Sequence, residues 1–272
     1  MSARRIGLVA WHVFKESVRD RVLYGIGAFA LLLVAGAIAV GQITAGQDVK
    51  IVKDLGLATI ELAGMLMTIF VGVGLVSREI ERKSIFALLA KPLPRWEFIV
   101  GKYCGLVLTV AVNVWVMALA LWLVLAWMAW TSPENVRMSW EAPAVDPRLA
   151  LVVLMITAEM AVLVAVALFL STFSSSALVS VGLTVGILIA GLLSSDLRHF
   201  GDIVVVPQPV AGLVSTIGWI LPAFSAFDLK GQVVHGFPVA PGFVLHTLLY
   251  AVLYAAALLG ASIAIFERRE FK

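Results

Sequence analysis

The chain has 272 residues, of which 61% are hydrophobic and only 14% charged, and its mean hydropathy is +1.03. Soluble domains carry about 25% charged residues, so a water-soluble globular fold is excluded and an integral membrane protein is implied. The net charge of +3 gives no footprint for nucleic acid, because the basic residues gather by segment, and the single cysteine, Cys104, excludes an intrachain disulfide.

Residues 1–21 do not read as a secretory leader, since polar side chains interrupt any apolar core and no small-residue cleavage site follows one. Ile6, Val9, Ala10, Val13, Phe14 and Ser17 instead recur at helical spacing, with Arg4, Arg5, Lys15, Arg19 and Asp20 mostly opposite. That pattern suits an amphipathic helix in the headgroup region, its basic groups toward anionic lipid. The alternative is a solvated helix packed on a partner.

Six apolar runs follow, at 22–42, 56–76, 103–130, 149–171, 177–195 and 243–266, each near the roughly 20 residues that a bilayer crossing needs. The expected fold is therefore all-α, six transmembrane helices in one domain over 1–272. Trp122, Trp127 and Trp130 close the third run and suit an interfacial aromatic belt. Small residues in the fifth (Ser180, Gly182, Thr184, Gly186, Gly191) favour close helix contact, within a subunit or across a dimer.

Between the second and third runs lies the one long charge-dense stretch, 77–102, with Arg78, Glu79, Glu81, Arg82, Lys83, Lys91, Arg95, Glu97 and Lys102. Read as a helix, it places Ile80, Ile85, Leu88 and Leu89 near one face. Pro92 and Pro94 then break it, and a second helical pattern from Arg95 leads into the third run. Such a segment presents a rigid helix end to a soluble partner. Placing it on one side with both termini collects 14 of the 20 Lys and Arg residues there, and by the positive-inside rule that side is cytoplasmic. On the opposite side, 43–55 and 131–148 read as short polar loops. The longer 196–242 contains the apolar stretch Pro209 to Phe227, broken by Pro222, which fits a re-entrant or interfacial helix pair.

Catalytic signatures are sparse. The only Gly-Lys pair, Gly101-Lys102, lacks the rest of a phosphate-cradling loop, so no ATP site is expected on this chain; no HExxH or GxSxG is present, and His12, His199, His235 and His246 are scattered. Met65, Met67, Met155 and Met160 lack companion Cys or His and read as packing rather than as copper ligands, so no metal is expected. Two acids fall inside apolar runs, Glu61 and Glu159. A carboxylate in lipid is costly and should face a bundle interior. Each is either part of a translocation path, together with Asn113, or a neutral acid bonded to a neighbouring helix through groups such as Thr157 or Asn113.

Arg78, Glu79, Glu81, Leu88, Leu89, Pro92, Arg95, Gly101 and Lys102 follow a pattern RE-x-E … LL-x-x-P-x-x-R … GK. With the amphipathic start and six runs, this resembles the permease subunits of ABC-2 type transporters. Lys83-Ser84 stands where that family commonly has Gly-Thr. Leu221-Pro222, Phe227, Asp228, Val233-Val234-His235-Gly236 and the ending FERREF are also similar, and place the chain beside the permeases of nitrous oxide reductase (multicopper enzyme) maturation. The resemblance implies an exporter in a bacterial-type inner membrane, with two permease copies or a paralogue pair. A separate ATPase subunit would hold ATP and Mg, and 77–95 would be the coupling helix. Arg78, Glu79, Glu81, Arg82, Ile85, Leu88, Pro92 and Arg95 would then face the ATPase, against the alternative of a solvated face beside anionic lipid. Two rivals share much of this pattern: an ion-driven secondary transporter using Glu159, and a non-transporting membrane anchor for an ATPase.

Overall fold

The computed structural model describes residues 2–19, 21–43, 48–81, 94–140, 142–174, 176–204 and 207–268. Among them every regular element is helical: α1 (Ser2–Ser17), α2 (Arg21–Ile43), α3 (Asp48–Glu81), α4 (Arg95–Thr131), α5 (Glu134–Arg137), α6 (Arg148–Phe173), α7 (Ala177–Leu192), α8 (Ser194–Arg198), α9 (Phe200–Ile203), α10 (Gln208–Ile220), a 3-10 turn (Phe224–Phe227), α11 (Lys230–Val234) and α12 (Pro241–Arg268).

Among the described residues four helices are long and apolar enough to cross a membrane, over Asp48–Val73, Arg95–Thr131, Arg148–Phe173 and Pro241–Glu267. A fifth is added if Gln208–Ile220 and Phe224–Val234, bent by 49° about Leu221–Ala223, count as one span. The first and fifth apolar runs of the sequence correspond to shorter apolar helices, Leu23–Gly36 within α2 and Ala177–Leu192.

Helix α6 lies at the centre. It is apolar on all sides, as a fully surrounded helix must be, and packs against α3, α4, α7 and α12. Val152, Met155, Val162, Leu163, Val164 and Ala165 along it are buried. Helices α4 and α12 turn broad apolar faces outward, with Trp130 86% exposed and Val252 65%. Of the Trp residues expected in a belt, Trp127 and Trp130 are exposed and Trp122 is half-buried.

Three boundaries differ from the sequence reading. Helix α3 begins at Asp48, so most of the expected 43–55 loop is helical. Val49, Val52, Leu57 and Ile60 are buried at helical spacing, a periodicity that Lys50, Lys53 and Asp54 mask in a hydropathy scan. At its other end α3 continues through Ser77 to Glu81 without a break. Polar residues such as Arg78 and Glu79 are good helix formers, so the start of charge does not end the helix. In 131–148, Glu134–Arg137 forms a short helix.

The small residues of α7 divide by face. Ser180, Thr184 and Gly191 are buried, whereas a Cβ on Gly182 or Gly186 would meet nothing within 4 Å.

Candidate functional site

At the basic end of the bundle, α1, the start of α4 and the end of α12 form one joint. Helix α4 begins after Pro94, whose fixed φ suits a helix entry. Gly101 and Gly105, one turn apart, let the α1 backbone lie directly on α4. A Cβ on Gly101 would fall 2.7 Å from Val9 Cβ, and one on Gly105 would fall 2.6 Å from the Ala10 carbonyl oxygen. The apolar stripe of α1 thus packs on protein, and Leu8 and Trp11 are left exposed on its outer side. Beside this contact, buried Glu97 lies 4.0 Å from Arg5 Nη1.

Arg95 fastens the joint to the last helix. Its Nη1 donates to the carbonyl oxygens of Phe266 and Glu267, each at 3.0 Å. These are among the last four carbonyls of α12, which have no partner within the helix, and the positive charge complements the helix dipole there. Phe98 stacks on Phe266 at 6.4 Å between ring centroids, and Lys102 Nζ sits 4.7 Å from the centre of the Phe98 ring.

At the opposite end, Lys230 of α11 forms an ion pair with Glu61 of α3. Asp228 Oδ1 lies 3.7 Å from the same ammonium and accepts from the Lys230 backbone N–H at 3.1 Å. The charge of Asp54 also bears on Lys230. Glu159 of α6 is 1% exposed, its Oε1 is buried with no hydrogen-bond partner, and the charge of Asp228 bears on it. Neither neighbour expected from sequence satisfies it. Asn113 Nδ2 donates to the Thr109 carbonyl at 2.8 Å and Thr157 Oγ1 to the Val153 carbonyl at 2.7 Å, each within its own helix. Buried Lys53 donates to the Pro143 carbonyl at 2.6 Å, and Arg148 Nη1 to the Gly236 carbonyl at 3.2 Å.

Gly236 ends α11 with φ 73°, a left-handed conformation that favours glycine. Phe237 N–H bonds to the Gln232 carbonyl and Gly236 N–H to that of Val233, the two closing bonds of a Schellman cap. This gives the Val233–Gly236 motif a structural reason: it stops α11 just after Lys230 has reached Glu61.

Helix α12 is bonded to this end as well. Tyr250 Oη accepts from the Ala223 N–H at 2.9 Å, and Tyr254 O–H donates to the Ile220 carbonyl at 2.9 Å. Both bonds fall where α10 gives way to the 3-10 turn, and Phe227 packs 6.3 Å from Tyr250.

Of the residues predicted to face an ATPase, Arg95 is placed in the joint at the basic end. Arg78, Glu79 and Glu81 lie on the last turns of the α3 backbone, while Arg82, Ile85, Leu88 and Pro92 lie outside the described residues. Glu61 and Glu159 both adjoin the Lys230–Asp228 turn; Asn113 bonds elsewhere. Sequence reasoning missed Lys230, Gly105, Tyr250 and Tyr254 as functional positions. A lone lysine after an apolar broken stretch, and tyrosines four apart in the last run, were the available signals. Among the described residues no three His, Cys, Asp or Glu side chains gather as a metal site.

Residues 8–271 match the family profile described as ABC-2 family transporter protein. No curated protein matches the chain significantly.

Proposed function

The chain belongs to the ABC-2 transporter family, a membrane transport component rather than an enzyme, and from that premise we propose that it is the permease of an ATP-driven exporter. A separate ATPase subunit would hold ATP and Mg, and two permease copies, or this chain and a paralogue, would complete the assembly in a bacterial-type inner membrane. The observation that carries the reading is a profile match over nearly the whole chain, joined to a sequence without a phosphate-binding loop.

The finer elements of the reading have separate supports. Segment 77–95 serves as the coupling element, because its described flanks run into α3 and α4, two helices that pack on the central α6. Arg78, Glu79, Glu81, Arg82, Ile85, Leu88 and Pro92 would meet the ATPase, with Arg95 behind them. Nucleotide-driven closure would rock the helices and open the path outward. Glu159 and Glu61 would border that path, supported by a buried carboxylate oxygen left without a partner; Asn113 would extend it along α4. We place 208–234 as a re-entrant pair and count six crossings, α2 and α7 completing the set. The placement beside nitrous oxide reductase maturation permeases rests on the 221–236 and C-terminal motifs.

Co-purification tests the reading. Tagged chain in mild detergent should bring down a nucleotide-hydrolysing subunit, and Glu79→Arg with Glu81→Arg should release it. A chain that purifies alone and is indifferent to both changes would defeat the ATPase assignment and favour ion-driven transport through Glu159.

A further inference from the structure

Resting on the transporter reading, we propose that α12 is a strut joining the two ends of the molecule, with Arg95 as the positioning residue that fastens it to the coupling segment. Its outer half is fastened by Tyr250 and Tyr254 to the bent pair whose Lys230 latches on Glu61. Movement imposed at the ATPase-facing end would then reach the outer latch through one helix.

The fastenings at each end are direct. Arg95 is the last residue of the coupling segment, and it holds two terminal carbonyls of α12 at once. The Phe98–Phe266 stack keeps the two helix ends from sliding apart, and the Gly101–Gly105 contact seats α1 on the same block. At the other end the two tyrosine hydroxyls hold backbone groups of Ile220 and Ala223, on either side of the break in the bent pair. From that break the chain runs through Phe227, packed on Tyr250, to the turn of Asp228 and Lys230. Between Phe266 and the tyrosines lie about 18 to 24 Å of continuous helix.

The strut is also free to move. Apart from Phe266 at the joint, its buried side chains are small: Thr247, Ala251, Ala255 and Ser262. A seam of such residues has few large knobs to disengage, so a small shear along it is cheap compared with repacking. Val244, Leu248 and Leu259 beside this seam are only partly buried, and Leu245, Leu249 and Leu253 on the outward face are exposed.

The test is a distance measured far from Arg95. In a Cys104→Ser background, spin labels on Leu55→Cys and Gln232→Cys, both exposed, report the position of the bent pair against α3 by pulsed electron resonance in nanodiscs. In the chain alone, Arg95→Ala should shift this outer distance, and Arg95→Lys, which can still donate to the same carbonyls, should restore it. Tyr250→Phe with Tyr254→Phe should give a shift that Arg95→Ala does not enlarge. An outer distance unchanged by Arg95→Ala would overturn the strut, since a purely local joint would loosen only its own end. With the ATPase bound, a non-hydrolysable ATP analogue should move the labels in the otherwise unaltered labelled chain and not in Arg95→Ala. Equal movement in both would sink the strut and leave the transporter reading standing. If no ATPase binds, yet Arg95→Ala still shifts the outer distance, the transporter reading fails and the strut survives.

Discussion

Gly105 carries a backbone contact that no other residue type can make. A methyl group there would press within 2.6 Å of the Ala10 carbonyl oxygen, and a carbonyl in a helix cannot turn away as a side chain can. Gly105→Ala should therefore destabilise the protein by about 1–3 kcal/mol, read as a lower Tm in detergent. Gly182→Ala has open space around its new methyl and should be neutral or stabilising, since alanine is the better helix former. Equal effects at the two positions would show that α1 does not rest on α4. Glu159 poses the opposite case. Its buried oxygen has no partner, so Glu159→Leu should raise stability by about 1–3 kcal/mol while, on the transporter reading, abolishing transport. A lower Tm would reveal a partner that holds this carboxylate in the assembled complex. Both acids were legible in the sequence because charge in an apolar run stands out. Their neighbour Lys230 was not, because the ion pair joins positions 169 residues apart, and no local pattern encodes that distance.

Among the elements, the amphipathic start, the continuity of Arg95 into the third run and the break at Pro222 were legible. Each follows from local rules of periodicity and proline. The ends of α3 were not, because hydropathy marks where lipid stops rather than where backbone hydrogen bonds stop. Ser77 discriminates the two ideas. Were it the start of a new helix, proline there would occupy a tolerated first-turn position. Inside a continuous α3 (Asp48–Glu81), it removes the bond to the Val73 carbonyl and clashes with the preceding turn. Ser77→Pro should then cost about 3 kcal/mol or more and, on the transporter reading, disconnect ATPase activity from transport. A variant as stable as the parent would place a helix boundary at Ser77. On the transporter reading continuity also matters mechanically: a push on Arg78 and Glu79 acts on the end of the same rod that carries Glu61 near its middle.

At the scale of the whole molecule, the path of the chain constrains the number of crossings more tightly than helix length does. Helix α1 rests on Gly101 and Gly105 at the basic end, whereas α3 starts beside Pro143 at the opposite end through Lys53. On the six-crossing reading the chain between them traverses the bundle, and among the described residues α2 is the helix that would do so. Likewise the start of α6 reaches Gly236 through Arg148 at the opposite end, whereas α12 finishes at Arg95 at the basic end. On the same reading one return is needed before Pro241, and α7, whose glycine Gly191 lies against Phe224 and the Pro222 carbonyl, would supply it. Its 16 residues span about 24 Å, short for a hydrocarbon core of about 30 Å. Single cysteines in a Cys104→Ser background separate the crossings one by one. Glu134→Cys and Arg198→Cys should react with an impermeant maleimide added outside intact cells, and Ser2→Cys only after the membrane is opened. Labelling of Ser2→Cys from outside would mean that α2 does not cross. Protection of Arg198→Cys would remove α7 from the set and leave the bent pair to make the return, carrying Lys230 through the membrane rather than down to Glu61 and back.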